Sequence, residues 1–291
     1  MKRWAIIGSI IAAALVVFWR IEPLYLSLYS AATPAASFDD RVALIEPAME
    51  LRLPDGAGPF PVVIQFHGCA GIRPPFQAQW ADIANDAGFA ALIVDSVGPR
   101  GMSRPEAVEA VCGGKRLVGQ ERAGDIMAAV EIAVRNPELD PTQIILAGWS
   151  HGAWSVMDYL TMDQRGKGPA GLTNWPATSH KISGAILVYP YCGLGTLSRF
   201  RQWREAPPTL ALIAGEDSMV DAEECITYFE TEKRDGRPID ITIYPETEHA
   251  FDDPFIEPDW QHWHSPEAFV DAKTRYANFL KSRKSFGRPA N

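Results

Sequence analysis

The pentapeptide Gly-Trp-Ser-His-Gly at residues 148–152 constrains the fold of this chain most. It follows the β-rich run 143–147 and precedes a helix-like stretch, 153–160. A serine between two glycines at a strand-to-helix junction is typical of the nucleophile elbow, a turn so sharp that its flanking positions must lack bulk. The turn strains the serine backbone and lifts the hydroxyl above the sheet edge. We therefore expect Ser150 to be a nucleophile that a base can reach.

Two later strand ends carry the residue types that such a serine needs. The buried-strand run 209–214 leads into Gly-Glu-Asp, which ends at Asp217, and the run 239–244 leads into a loop that contains His249. Ligands of open α/β sheets bind outside the carboxyl ends of the strands. We therefore expect both loops to lie at the same sheet edge as Ser150.

Each of these residue types has a chemical reason to be present. A serine hydroxyl is a poor nucleophile at neutral pH and needs a base within hydrogen-bond reach, a role assigned to His249. Asp217 would fix the imidazole tautomer and stabilise the imidazolium as it forms. Glu216 and Asp221 lie close by and remain rivals for the acid. An ordinary surface-loop histidine is the alternative interpretation of residue 249.

An oxyanion hole is expected on an earlier loop, residues 67–71, which read His-Gly-Cys-Ala-Gly after an apolar strand-like run. Its small residues let the backbone pass close to a substrate carbonyl. The N–H of Cys69, with that of Gly68 as second choice, is expected to join the N–H of His151, the residue after the nucleophile. We expect His67 to brace this loop rather than act as a base.

Five segments together resemble one known family. They are residues 67–71, 95–101 (Asp-Ser-Val-Gly-Pro-Arg-Gly), 148–152, 215–217 and 249–251 (His-Ala-Phe), spread over most of the chain. In these segments the chain resembles the dienelactone hydrolase family of the α/β-hydrolase superfamily. The resemblance implies the α/β-hydrolase fold and a hydrolytic site. The namesake enzymes use a cysteine nucleophile where this chain has Ser150, which favours a serine esterase over a dienelactone hydrolase.

The remaining pattern fits that fold. Over residues 38–291, strand-like runs alternate with helical ones, which predicts one α/β domain with a mostly parallel central sheet flanked by helices. The segment 164–180, rich in Gly, Pro and Thr, is interpreted either as a cover over the site or as a plain surface loop. The runs that we assign are strands at 90–94 and 182–189 and helices at 80–88, 119–135, 222–233 and 266–284.

The sequence of residues 1–37 predicts a hydrophobic N-terminal helix and a linker ahead of that domain. Lys2-Arg3 precedes the uncharged run 4–19. This run is longer than the core of about 7–15 residues in a usual signal peptide, and shorter than the roughly 20 residues of a full span. We favour an uncleaved signal anchor in the membrane over a removed signal peptide. Either way, the catalytic domain is expected outside the cytoplasm, in the periplasm or exported.

Four cysteines suit such a compartment. Their positions on the predicted loops suggest that Cys69 pairs with Cys112 and Cys192 with Cys225, all near the active-site edge. Four buried, reduced cysteines are the alternative.

Other classes of function are less well supported. A formal net charge of −9 without a basic stripe argues against a nucleic-acid partner. His262 and His264, two positions apart and without further ligands in spacing, are a weak metal motif. Among the aromatic residues near the motifs, Trp149 and Tyr191 are candidates to line an acyl pocket. The sequence leaves the oligomeric state open.

The sequence therefore predicts a serine hydrolase that cleaves a small-molecule carboxylic ester or lactone through an acyl-enzyme, without a metal or organic cofactor. One alternative is a peptidase or amidase with the same catalytic residues. The other is a catalytically silent binding domain that keeps the fold.

Overall fold

The computed structural model of this chain describes residues 28–29, 31–176, 180–256, 260 and 263–284. The predicted N-terminal hydrophobic helix lies outside the described residues, in 1–27. Within the described part of the chain, no helix is both long enough and apolar enough to cross a bilayer. The division between residues 1–37 and 38–291 stays a prediction.

The strands of the described residues are β1 Ala36–Ser37, β2 Met49–Arg52, β3 Phe60–Phe66, β4 Ala90–Val94, β5 Leu139–Trp149, β6 Leu172–Thr173, β7 Ile182–Val188, β8 Thr209–Ala214 and β9 Ile239–Tyr244. Seven of them form one central sheet in the order β2-β4-β3-β5-β7-β8-β9. All neighbours in this sheet are parallel except β2 and β4, which are antiparallel. The short strands β1 and β6 form a separate parallel pair.

Helices connect the strands and cover both faces of the sheet. They are α1 Phe38–Ile45, α2 Pro74–Asp86, α3 Arg104–Ala107, α4 Gly119–Arg135, α5 His151–Asp163, α6 Leu197–Phe200, α7 Ala222–Arg234 and α8 Pro266–Lys284. The bounds of α4 and the start of α8 are those that the sequence predicts. Helix α2 begins six residues earlier than predicted, because prolines at its first positions start the helix and cost no internal hydrogen bond.

The central strands are buried on both faces, as their continuous apolar runs indicate. Every residue of β4 and β8 is buried, a pattern typical of a parallel sheet covered by helices on both sides. One face packs against α4, α5 and α7, with Ile126, Met157 and Phe229 in its core. The other face packs against α2 and α8, with Trp80 and Tyr276 in its core. The predicted α/β-hydrolase fold, with a mostly parallel sheet flanked by helices, is confirmed.

The strand register brings the candidate loops to one edge of the sheet. Phe66 at the end of β3 pairs with Gly148 near the end of β5, and Ala214 of β8 pairs with Tyr244 of β9. The loops after β3, β5, β8 and β9 therefore leave the sheet at the same edge. These four loops carry the predicted catalytic and oxyanion-hole residues.

Candidate active site

The turn after β5 has the strained geometry that the Gly-x-Ser-x-Gly pattern predicts. Ser150 has φ 53° and ψ −119°, in the left-handed half of the Ramachandran plot that non-glycine residues rarely enter. A Cβ atom on Gly148 would lie 2.5 Å from the backbone nitrogen of Ala153, and one on Gly152 would lie 2.2 Å from the carbonyl oxygen of Phe66. Both positions must therefore be glycine, because the atoms that a side chain would meet belong to the backbone.

Gly152→Ala is expected to lower the free energy of unfolding by about 3 kcal/mol, because the β3 backbone cannot move without breaking the sheet. Urea unfolding measures this loss. Gly68→Ala is the control, since its new Cβ would meet the Cβ of Ser150 at an ordinary 3.7 Å. Equal stability of the two variants would contradict the close approach of α5 to β3.

Three side chains from three loops form a hydrogen-bonded relay at this edge. The hydroxyl of Ser150 lies 2.9 Å from Nε2 of His249. The other ring nitrogen of His249, Nδ1, lies 2.6 Å from Oδ2 of Asp217. Because a carboxylate only accepts, Nδ1–H donates to Asp217 and Nε2 is left to accept the serine proton. This arrangement is the one that a general base acting on a hydroxyl requires.

Asp217, rather than its rivals, is the acid of the relay. Its second oxygen, Oδ1, accepts the backbone N–H groups of Met219 and Val220, which orients the carboxylate. Asp221 instead accepts from the N–H of Glu223 and caps helix α7. Among the described residues, no hydrogen bond or ion pair joins Asp221 or Glu216 to His249.

A buried carboxyl group behind the relay was not predicted from the sequence. Asp252 accepts hydrogen bonds from the hydroxyl of Tyr189, at 2.7 Å, and from Nε1 of Trp149, at 2.9 Å. The ring of Tyr189 in turn lies 4.6 Å, centroid to centroid, from the imidazole of His249. Burial, with Asp253 adding to it, raises the pKa of Asp252 to about 7. Its only signal in the sequence is its place three residues after His249.

The loop after β3 lies directly against the serine turn. Gly68 stands close enough that a Cβ atom there would be in van der Waals contact with Ser150. In the described structure, neither the N–H of Cys69 nor that of His151 donates a hydrogen bond to another protein group. Both residues line the same cavity as Ser150, so two N–H groups without described protein acceptors are available there, as an oxyanion hole requires.

His67 braces this loop. Its Nδ1–H donates to the carbonyl of Gly68 at 2.6 Å, and its Nε2 accepts the backbone N–H of Ser96 at 3.0 Å. The ring is buried, and burial together with the nearby Arg122 charge lowers its pKa. Because both nitrogens of the neutral ring are occupied, His67 holds the loop in place and is not placed to act as a base on Ser150.

Both hypothesised disulfides are present, and no described cysteine is free. Cys69 is bonded to Cys112 with a Cα–Cα distance of 5.0 Å, and Cys192 to Cys225 with 5.2 Å. The first bond ties the loop after β3 to the helical turn Val108–Cys112. The second ties the loop after β7 to helix α7.

A cavity of about 540 Å³ opens onto Ser150 and His249. Of the two predicted lining residues, Tyr191 lines the cavity and packs against Trp154, with ring centroids 5.1 Å apart and the ring planes tilted by 58°. Trp149 reaches the cavity wall but is only 2% exposed, because most of its ring packs in the core against Trp80 and Phe76. The aromatic side chains of the lining are Phe76, Trp149, Trp154, Tyr189, Tyr191, Trp260 and Trp263.

The segment 164–180 does not cover this cavity in the part that the structure describes, so the surface-loop interpretation is the better one. Its strand β6 pairs with β1 instead, in the register Ala36↔Leu172. The exposed residues that line the cavity belong to other segments. The large apolar ones are Val108, Leu194, Met219 and Trp260, and the exposed Arg104 lines the cavity as well.

The weak metal motif finds no support among the described residues, which contain no group of three or more His, Cys, Asp or Glu side chains suited to a metal ion. His264 donates from Nδ1 to the carbonyl of Phe251. His262 lies outside the described residues.

Known proteins resemble this chain in sequence and in fold. The sequence profile of the dienelactone hydrolase family matches residues 49–283. The acylamino-acid-releasing enzyme of Rattus norvegicus is 22% identical over 285 residues, which cover 85% of this chain and 37% of that protein. The chain therefore spans less than half the length of this curated relative.

Solved structures share the fold at low identity. A dienelactone hydrolase from Anabaena variabilis has a TM-score of 0.55 and 16% identity, over 80% of this chain and 90% of that one. Esterase 2 from Thermogutta terrifontis, solved phosphonylated by cyclosarin, has a TM-score of 0.59 and 16% identity, over 83% of this chain and 90% of that one. Since the family profile extends from β2 to the last helix, this chain belongs to the dienelactone hydrolase family of hydrolases.

Proposed function

We propose that this chain is a serine hydrolase that cleaves a carboxylic ester or lactone through an acyl-enzyme intermediate. The observation that carries the proposal is the relay from Ser150 Oγ to His249 Nε2, at 2.9 Å, and from His249 Nδ1 to Asp217, at 2.6 Å. Membership of a hydrolase family and the esterase among the structural neighbours support it.

In the first half of the reaction, Ser150 Oγ attacks the substrate carbonyl carbon while His249 Nε2 takes its proton. The carbonyl oxygen becomes an oxyanion that accepts hydrogen bonds from the backbone N–H groups of Cys69 and His151. Asp217 stabilises the imidazolium through the Nδ1–H bond. The tetrahedral intermediate then collapses, the C–O bond to the alcohol breaks, and His249 protonates the departing oxygen.

In the second half, water attacks the carbonyl carbon of the acyl-enzyme. His249 takes a proton from this water, and the same two N–H groups hold the second oxyanion. Collapse breaks the bond to Ser150, whose Oγ recovers its proton from His249. The products are one carboxylic acid and one alcohol, or a single hydroxy acid from a lactone. None of these steps uses a cofactor.

The cavity favours an uncharged, apolar substrate. Aromatic and aliphatic side chains form most of its lining. Arg73, one of the cations that line it, is neutralised by a hydrogen-bonded ion pair with Asp253. A free carboxylate of a substrate buried here would lose its hydration, and Arg73 would not replace it with an ion pair. We therefore assign neutral esters with an apolar acyl or alcohol group as the substrate class.

Hydrolysis of short aryl esters is the test of this proposal. We expect turnover of neutral p-nitrophenyl esters, covalent labelling by a fluorophosphonate probe, and much slower turnover of an ester of the same size that bears a free carboxylate. A chain that neither hydrolyses esters nor reacts with the probe would instead be a binding domain that keeps the fold. Faster turnover of the carboxylate-bearing ester would contradict the neutral-substrate assignment.

A peptidase or amidase is the second candidate. It rests on the similarity to the acylamino-acid-releasing enzyme, which covers 85% of this chain. The same relay serves both reactions, and the leaving group decides between them. Matched p-nitroanilides distinguish the two: hydrolysis of esters without anilides supports the esterase, and comparable rates on both support the amidase.

We further propose that the hydrolase domain functions outside the cytoplasm, held to the membrane by the predicted signal anchor. The two disulfides support this location, because such bonds persist in oxidising compartments. Cell fractionation followed by thiol alkylation tests it. Recovery of the chain in the cytosol with four reactive thiols would contradict the proposal.

A further inference from the structure

Arg122, in the first turn of α4, is a fully buried arginine next to the candidate site. Its Nε donates to Oγ of Ser96 at 3.0 Å. Its Nη1 lies 2.8 Å from the carbonyl oxygen of His67 and 3.1 Å from Nδ1 of His151. Because a guanidinium only donates, both of these groups accept hydrogen bonds from the same nitrogen atom.

The two acceptors belong to the two segments that carry the oxyanion-hole N–H groups. His67 directly precedes Gly68 and Cys69 in the loop after β3. His151 follows the nucleophile and itself supplies the second N–H. One nitrogen atom of Arg122 therefore joins a loop and a helix start that are more than 80 residues apart in sequence.

The charge of Arg122 has no direct counterion in the described structure. Asp125, the acid whose charge most raises the pKa of Arg122, accepts its hydrogen bonds from other arginines: from Arg41, at 2.7 Å, and from both terminal nitrogens of Arg100, at 2.8 and 3.0 Å. Burial lowers the pKa of Arg122 to about 10. The guanidinium is therefore still charged at neutral pH. A fixed positive charge inside a buried site stabilises nearby negative charge more strongly than it would in water.

The same contact defines the state of the His151 side chain. Nδ1 of His151 can accept from Arg122 only when it carries no proton. Burial and the Arg122 charge hold the pKa of His151 well below its usual range. His151 is therefore neutral when His249 takes the serine proton, and its ring serves as an anchor for the start of α5.

We propose that Arg122 is a positioning residue that sets the separation of the Cys69 and His151 N–H groups and adds positive potential to the oxyanion hole. The inference rests on the proposed hydrolase function. A structural arginine would affect only folding, whereas this role requires an effect on the transition state. Loss of Arg122 is therefore expected to change kcat rather than KM.

The test compares Arg122→Met and Arg122→Lys with Arg41→Met, measured by kcat and KM on a neutral aryl ester and by the rate of phosphonylation. Arg41→Met is the matched control, because it removes a buried guanidinium that bonds Asp125 but touches neither oxyanion segment. For Arg122→Met we expect kcat and the phosphonylation rate to fall in parallel by about 10²-fold, with KM nearly unchanged. For Arg122→Lys we expect a smaller loss, because the ammonium keeps the charge but cannot reproduce the planar set of donors.

Arg41→Met is expected to lose stability and keep its kcat. The proposal is overturned if Arg122→Met folds and has the same kcat as Arg41→Met, or if KM rather than kcat changes. If Arg122→Met does not fold, Arg122→Lys decides, since a wild-type kcat in that variant also overturns it. The hydrolase function is tested separately: the wild type should hydrolyse the ester and Ser150→Ala should not. If that holds while the Arg122 variants behave like the control, only the inference about Arg122 fails.

Discussion

Ser150→Ala is expected to lower kcat for ester hydrolysis by about 10⁵- to 10⁶-fold, as loss of the nucleophile does in serine hydrolases with this relay. The variant keeps the cavity and both oxyanion N–H groups, so substrate binding should persist while the acyl-enzyme cannot form. The backbone at residue 150 should stay as strained as in the wild type, at φ 53°, because alanine also has a Cβ atom. Initial rates on a p-nitrophenyl ester and the loss of fluorophosphonate labelling measure the effect.

Ser183→Ala is the control for this substitution. Its hydroxyl donates to the carbonyl of Ile144 within the sheet, and Ser183 does not line the cavity. We expect wild-type kcat and full labelling from this variant. Ester turnover and labelling that survive in Ser150→Ala would remove Ser150 from the mechanism and, with it, the proposed acyl-enzyme.

Asp217→Asn is expected to lower kcat by about 10⁴-fold, the loss that the same substitution causes in a serine protease triad. In this chain the reason can be followed atom by atom. Oδ1 of Asp217 accepts two backbone N–H groups, so the asparagine must keep its carbonyl oxygen on that side. Its NH₂ group then faces Nδ1 of His249, which must become the acceptor. The imidazole proton moves to Nε2, and Nε2 can no longer take the proton of Ser150.

Asp221→Asn is the matched control, because it makes the same chemical change four residues later in the same loop. Asparagine is as good a helix cap as aspartate, so α7 should keep its N-terminus and the variant its activity. Parallel measurements of kcat and of urea unfolding separate a change in catalysis from a loss of stability. Equal kcat values for Asp217→Asn and Asp221→Asn would show that the carboxylate at 217 does not orient His249.

Some features of the site could be predicted because their causes are local. The glycines at 148 and 152 are required by the turn itself, and a serine in such a strained turn is typical of a catalytic nucleophile. The chain order of nucleophile, acid and histidine follows from the order of parallel strands, each of which delivers its loop to the same edge. The end of α4 could be predicted because Asn136-Pro137 follows it, and the start of α8 because Pro266 begins it.

Long-range pairing could not be predicted in the same way. Arg122 and Asp252 look like ordinary charged residues in the sequence, and only packing shows that both are buried beside the site. The exposed apolar residues that line the cavity belong to four segments distant in sequence. The composition of residues 164–180 had instead suggested this segment as a cover over the site. A Gly- and Pro-rich composition indicates irregular backbone but not its direction.

The sequence by itself determined the fold class, the nucleophile turn and a short set of candidate residues, because strand burial, turn sterics and residue chemistry act within a few positions of the chain. Only the tertiary structure decided which carboxylate meets His249, which of the possible cysteine pairs form and which guanidinium bonds the loop after β3. Those choices depend on the distances between atoms from different strands and loops, and the packing of the sheet and helices sets them.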